Sequence, residues 1–151
     1  MRIENVPLNK LVPIERYLNG ANLCFLFRTL DLSNIPPCLG IKYEDKFILG
    51  DGHHRARVAA FVEKKDLPLQ ILETDEDIVG CNAEAFRGYS TIDSFVNQCE
   101  NHLIPLAVQS GIRTIYNYVL RRGNIMASKR VARELSKSIT KAKGLKARLR
   151  F

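Results

Sequence analysis

The chain has 151 residues, 46% of them hydrophobic and 26% charged, and carries a net charge of +7. This length gives one domain with an appendage or two very small domains, and the apolar fraction is enough for a real core. No apolar run approaches the ~20 residues that cross a bilayer, and no signal-peptide pattern opens the sequence, so a membrane partner is excluded and a cytoplasmic location is expected. Cys24, Cys38, Cys81 and Cys99 form no Cys-x-x-Cys pair and read as reduced thiols of an intracellular protein. With only His53, His54 and His102 to join them, they give no zinc-site spacing.

In chain order, residues 1–75 read as mixed strands and helices. The clearest stretch is Phe47-Ile48-Leu49, an apolar strand that runs into the tight turn Gly50-Asp51-Gly52. A helix then opens with His53, His54 and Arg55 and continues from Ala56 to Phe61. Leu67 to Leu72 read as a returning strand, and Asp77-Ile78-Val79 as a short edge addition or the start of a helix. The helix start matters most. Its first amides have no partners and lie at the positive end of the dipole. Glycine lets an anion come close to the backbone, and a guanidinium adds a planar donor fork. Together these build a phosphate site from Gly50, Gly52, His53, His54 and Arg55. The same residues also read as turn chemistry, with Asp51 as an N-cap and both histidines on the surface. Adjacent helical side chains diverge by about 100°, so at most one histidine is expected to face a phosphate.

Asp51-Gly52-His53-His54-Arg55-Ala56 resembles the signature box of the ParB/sulfiredoxin superfamily, and Val6 to Arg16 resembles the family's first box. The likeness covers about residues 1–75. Residues 17–40 lack the family's usual helix ending in a Gly-x-x-x-Pro turn. Sulfiredoxins have a catalytic cysteine where His53 stands here, which argues against sulfinic-acid reduction. ParB proteins carry Gly-Glu-Arg-Arg, so only Gly52 and Arg55 carry over from them. The variant most similar to this one is that of the superfamily's free-serine kinases, Asp-Gly-His-His/Thr-Arg. The resemblance implies an α+β fold with a mixed sheet over residues 1–80. It implies Asp51, His54 and Glu15 as catalytic groups, with Asp51 near the transferred phosphoryl and Glu15 as a first-box base. It implies His53, His54 and Arg55 as phosphate ligands, and a nucleotide (ATP, ADP or CTP), with Asp51 as a candidate Mg²⁺ ligand. Such chemistry is mostly positioning and charge neutralisation, which suits a fixed cation, imidazoles and a carboxylate.

Residues 81–91, with Gly88, Ser90 and the aromatics Phe86 and Tyr89, read as a loop or linker able to fold back over the pocket. Residues 92–151 read as a basic all-helical segment. Ile92, Phe95, Val96 and Cys99 have helical spacing, as do Leu103, Leu106 and Ala107, and Pro105 is expected to split them into two helices. Leu106 to Ile112 followed by Leu120 resembles a helix-turn-helix around Gly111, whose second helix would carry the stripe Ile112, Ile115, Tyr116, Val119 and Leu120 and present Arg113, Thr114 and Asn117 to a major groove. A last helix is expected from Ala127 to Ala142, with Val131, Leu135 and Ile139 on one side. Residues 1–112 hold 11 basic and 15 acidic side chains, whereas residues 113–151 hold 12 basic ones and the single acid Glu134. That asymmetry points to a polyanion, DNA in the first instance, held by Arg113, Arg121, Arg122, Lys129, Arg130, Arg133 and Lys137.

Two functions follow. One is a ParB-like protein that binds a nucleotide or phosphate and grips nucleic acid through its C-terminal segment. The other is a small phosphotransferase or phosphohydrolase whose tail packs or forms a homodimer. A ParB-like nuclease would combine them.

Overall fold

The computed structural model describes residues 1–149, with side chains described through residue 143. The fold is α+β. Five strands form a mixed sheet in the order β1-β6-β4-β5-β2: Arg2–Pro7, Asp66–Ile71, Cys38–Tyr43, Lys46–Asp51 and Leu11–Val12. β1 runs antiparallel to β6, β6 parallel to β4, β4 antiparallel to β5, and β5 parallel to β2. A separate two-stranded ribbon pairs β3 (Leu18–Asn19) in parallel with β7 (Ile125–Met126). The C-terminal segment is thus not all-helical: it contributes this short strand and an irregular stretch before it.

β5 shows why the sheet reads as an unbroken apolar run. Both faces of the sheet are covered, so alternate residues enter different cores. Phe47 and Leu49 join Val6, Leu67 and Leu69 on one side, while Ile48 joins Ile41, Phe86 and Phe95 on the other. The first core is covered by α1 (Gly20–Thr29), α2 (His53–Phe61) and α6 (Lys129–Leu149). α1 is a helix the sequence did not announce; Asn19 caps it by accepting the Asn22 N–H at 3.0 Å. α2 lies deepest, buried continuously from Ala56 to Phe61, because its alanines let neighbouring elements approach closely. Its buried Arg57 donates to the Tyr118 carbonyl at 2.8 Å and stacks 3.5 Å from the Phe61 ring centre.

The second core is covered by residues 72–104. α3 (Asp75–Val79) starts at a capping box between Thr74 and Asp77. Phe86, expected in a linker, is 1% exposed and packs on Phe95 with ring centres 4.7 Å apart. The expected break at Pro105 does not occur. α4 (Ile92–Gln98) continues through a π-helical stretch, Cys99–Leu103, into α5 (Ile104–Gln109). The proline sits at the start of α5, and the ladder lengthens before it, with Ile104 N–H reaching back to the Cys99 carbonyl.

The helix-turn-helix expectation is corrected. After Gly111, in the left-handed region at φ 82°, there is no second helix. The chain makes two short 3₁₀ turns, Ile115–Asn117 and Leu120–Arg122, before β7. The cause is side-chain competition for the backbone. Asn117 Oδ1 accepts the N–H groups of Arg113 and Thr114 at 2.9 and 2.8 Å. Asn124 accepts the Val119 N–H and donates to the Asn117 carbonyl. Ile112, Ile115 and Tyr118 enter the core instead of a helical stripe, leaving Tyr116 44% exposed. α6 begins two residues later than expected, where Ser128 caps it, and Val131, Leu135 and Ile139 face the core as expected. Among the described residues no helix is long and apolar enough to cross a membrane.

Gly50 joins the two layers. A Cβ there would lie 2.2 Å from the Phe86 ring. Gly50→Ala should therefore lower stability by about 1–3 kcal/mol, the usual cost of overpacking. Adding Phe86→Leu should recover part of the loss. Urea-denaturation midpoints check both, and a Gly50→Ala midpoint equal to that of the parent chain would contradict this packing.

Candidate functional site

The site forms where β5 becomes α2. β5 ends at Asp51, and Gly52 follows at φ 106°, ψ 21°, a conformation in which a side chain would be strained. Gly52 is also crowded: a Cβ would lie 2.3 Å from Cys38 Sγ. Cys38 itself is a buried thiol, pushed up to about 11 by burial. Gly52, not Asp51, is the N-cap of α2, and no side chain caps that end. The N-cap reading of Asp51 is thereby removed, and its carboxylate pairs with Arg55 instead. Opposite, the pairing of β4 with β5 shifts register between Leu39 and Gly40, a bulge beside the site.

His53 is 1% exposed. Its Nε2 accepts the Ile14 N–H at 3.0 Å, which places the ring proton on Nδ1. That Nδ1 is buried without a hydrogen-bond partner among the described residues. Glu15 Oε1 stands 3.7 Å from it, too far for a good bond. Burial, and then His54, push the His53 pKa down to about 3, so this contact is not an ion pair near neutral pH. His54 is engaged in the same way: its Nε2 accepts the Asn19 N–H at 2.9 Å, and burial lowers its pKa. Both rings are neutral, and both hold backbone. His53 fixes the first-box turn and His54 fixes the start of α1. Glu15 moves in the opposite direction. Burial, then Asp51 and Glu84, raise its carboxyl above the ordinary range.

Arg55 is oriented by its own chain. Nη1 donates to the carbonyls of Pro36 and Pro37, each at 3.2 Å, and Nη2 donates to Asp51 Oδ2 at 3.1 Å. Three of the five guanidinium N–H groups are thus engaged, leaving fewer for a phosphate than a free arginine offers.

These groups border a hollow of about 270 Å³. Asp51 to Arg55 form one wall and Glu15 another, and α1 completes it with Asn22, Phe25 and Leu26. The sequence expectation thus brings together Glu15, Asp51, Gly52, His53, His54 and Arg55. Gly50 lies elsewhere, since its open side meets Phe86 in the opposite core. The α1 residues and the Pro36 and Pro37 carbonyls were missed; the one available signal was Asn19 as a helix cap. Among the described residues no group of three or more His, Cys, Asp or Glu is placed to hold a metal ion.

The basic residues are not at the hollow. Arg113, Arg121, Arg122, Lys129, Arg130, Arg133 and Lys137 are all exposed. On α6 the inward side is apolar, with Leu135 fully buried, and Glu134 forms an ion pair with Arg28 of α1.

The histidine environment makes stability pH-dependent. An unfolded imidazole takes its proton near 6.5, whereas folded His53 resists protonation down to about 3. The unfolded state therefore binds more protons in this window, and stability falls as pH is lowered through it. This one group contributes a slope of up to about 1.4 kcal/mol per pH unit. The raised Glu15 works the other way just above pH 4.5, where the folded state holds the extra proton. Urea midpoints measured from pH 7 to pH 4 should decline for the parent chain and decline less for His53→Gln. A flat profile for the parent chain would contradict a buried neutral imidazole. Compared with known proteins, the chain matches no family model and no curated protein.

Proposed function

We propose that this chain is a ParB-like protein that binds a phosphate-bearing ligand at the start of α2 and associates with nucleic acid, DNA in the first instance, through its basic C-terminal segment. The ligand is a nucleotide such as ATP, ADP or CTP, or another phosphorylated small molecule. One observation carries this reading. The uncapped first turn of α2 borders an open hollow, and the buried Nδ1–H of His53 on that wall lacks an acceptor. Amides without intrahelical partners, an unmatched N–H donor and the remaining guanidinium donors of Arg55 all seek anionic oxygen. Asp51 and Glu15 would repel a bare phosphate. They suit a ligand that arrives with Mg²⁺, which needs only one or two protein carboxylates alongside the phosphates. The nucleic-acid part is supported by the exposure of all seven basic residues named above. It does not need a recognition helix, because cations on exposed backbone bind phosphates without reading bases.

A second reading, a phosphotransferase or phosphohydrolase, is favoured by Glu15. Burial, with Asp51 and Glu84 nearby, raises its carboxyl above the ordinary range, which suits a group that takes up a proton. Glu15 would take a proton from the attacking hydroxyl, Asp51 would hold the metal, and His54 would position α1 rather than handle a proton.

Titration calorimetry with ATP, ADP and CTP, with and without Mg²⁺, tests the ligand site. Arg55→Ala should weaken binding about tenfold or more, the effect of losing one charged hydrogen-bonding group. Absence of binding by any of these ligands to the parent chain would sink the reading. Mobility shifts at 50 and 200 mM salt test the second part. Duplex binding should weaken steeply with salt. It should drop further when Lys129, Arg130, Arg133 and Lys137 are all changed to Gln. An unchanged affinity in that variant would remove the C-terminal segment from the interface.

A further inference from the structure

We infer that Phe25 is a stacking platform for a nucleobase, which makes the ligand of the hollow a nucleoside phosphate rather than an aliphatic phosphate ester. The inference rests on the phosphate-site reading above. Phe25 is 56% exposed, whereas Phe47, Phe61, Phe86 and Phe95 are buried. It stands on the α1 wall of the hollow, facing the wall formed by the start of α2. Asn22 lies one helical turn earlier and lines the same hollow. The Asn22 backbone N–H is taken by the Asn19 cap, but its side-chain amide offers both a donor and an acceptor.

The size of the hollow fixes the mode of binding. At about 270 Å³ it is smaller than the roughly 300–1,000 Å³ of sites that enclose a whole ligand. A phosphate and sugar fill it, and the base then lies at the open rim on one face of the phenyl ring. Stacking of this kind tolerates any base, because every base has a π-face. Selectivity between purine and pyrimidine should therefore be small, with the Asn22 amide adding a modest preference. An aliphatic phosphate ester would leave the ring in water.

The absence of tryptophan from the chain makes the test clean. A Phe25→Trp variant carries a single tryptophan at the platform, whose emission is excited apart from that of the five tyrosines. AMP should quench it, and ribose 5-phosphate should bind without quenching. By calorimetry the parent chain should bind AMP about tenfold more tightly than ribose 5-phosphate, and Phe25→Ala should reduce AMP to the ribose 5-phosphate level while leaving the latter unchanged. Equal affinities of the parent chain for the two ligands, or an AMP affinity unmoved by Phe25→Ala, would overturn the platform while leaving the phosphate site standing. Failure of AMP, ribose 5-phosphate and inorganic phosphate alike to bind the parent chain would overturn both.

Discussion

The structure depends on a close contact between two small groups: the Gly52 Cα, in a left-handed conformation, resting against Cys38 Sγ. No other residue fits there, because a side chain would be both strained and in collision with the thiol. This contact turns the chain from β5 into α2 within one residue. It sets the axis of α2 and so where its first amides point. It also frees Asp51 from capping, so that its carboxylate can meet Arg55. The bulge in β4 lies opposite, which is where a strand must bend to admit this turn.

Around that contact, polar side chains act as pins rather than as exposed reagents. His53 holds the backbone at Ile14, His54 holds it at Asn19, and Arg55 holds two successive proline carbonyls. Three consecutive residues thus tie α2 to three distant segments of chain. The price is a reduced supply of free donors. Among the described residues, the buried Nδ1–H of His53 stays unmatched and the Arg55 guanidinium is only partly engaged, and both lie at the hollow. Two carboxyl groups and a hydrophobic wall from α1 complete a surface of mixed chemistry.

Much of this was legible in the sequence and some was not. The run from Phe47 to Phe61 carried its own signals: an apolar strand, two glycines and an alanine-rich helix. The Leu67–Leu72 strand and the inward side of α6 were visible for the same reason, since local periodicity reports burial. Phe86 was expected to fold back over the pocket but fills the opposite core, because its partner Gly50 lies far away in sequence and the link is one of missing volume. The segment after Gly111 misled because its apolar spacing is nearly helical, whereas Asn117 and Asn124 override that spacing through their own side-chain bonds. α1 was hidden because Leu23 to Phe27 form one continuous apolar run with no helical stripe, although Leu23 and Cys24 enter the core while Phe25 stands exposed at the hollow. At the site itself, the residue types brought Glu15 and Asp51 to Arg55 into one group, but only coordinates separated Gly50 from it and showed both histidines to hold backbone.

The ribbon of β3 and β7 has a consequence for how the chain can be divided. Leu18 and Asn19 pair with Ile125 and Met126, and the Leu18 N–H also bonds the Asn124 carbonyl. Asn19 in turn caps α1 and meets His54, while Tyr118 reaches the Glu15 carbonyl at 2.5 Å. A chain amputated at the Gly111 elbow would lose the strand that splints the hollow's back wall and the side chains that keep water off α2. Such a fragment would not be a smaller working protein with its basic arm removed, but a half-unroofed one.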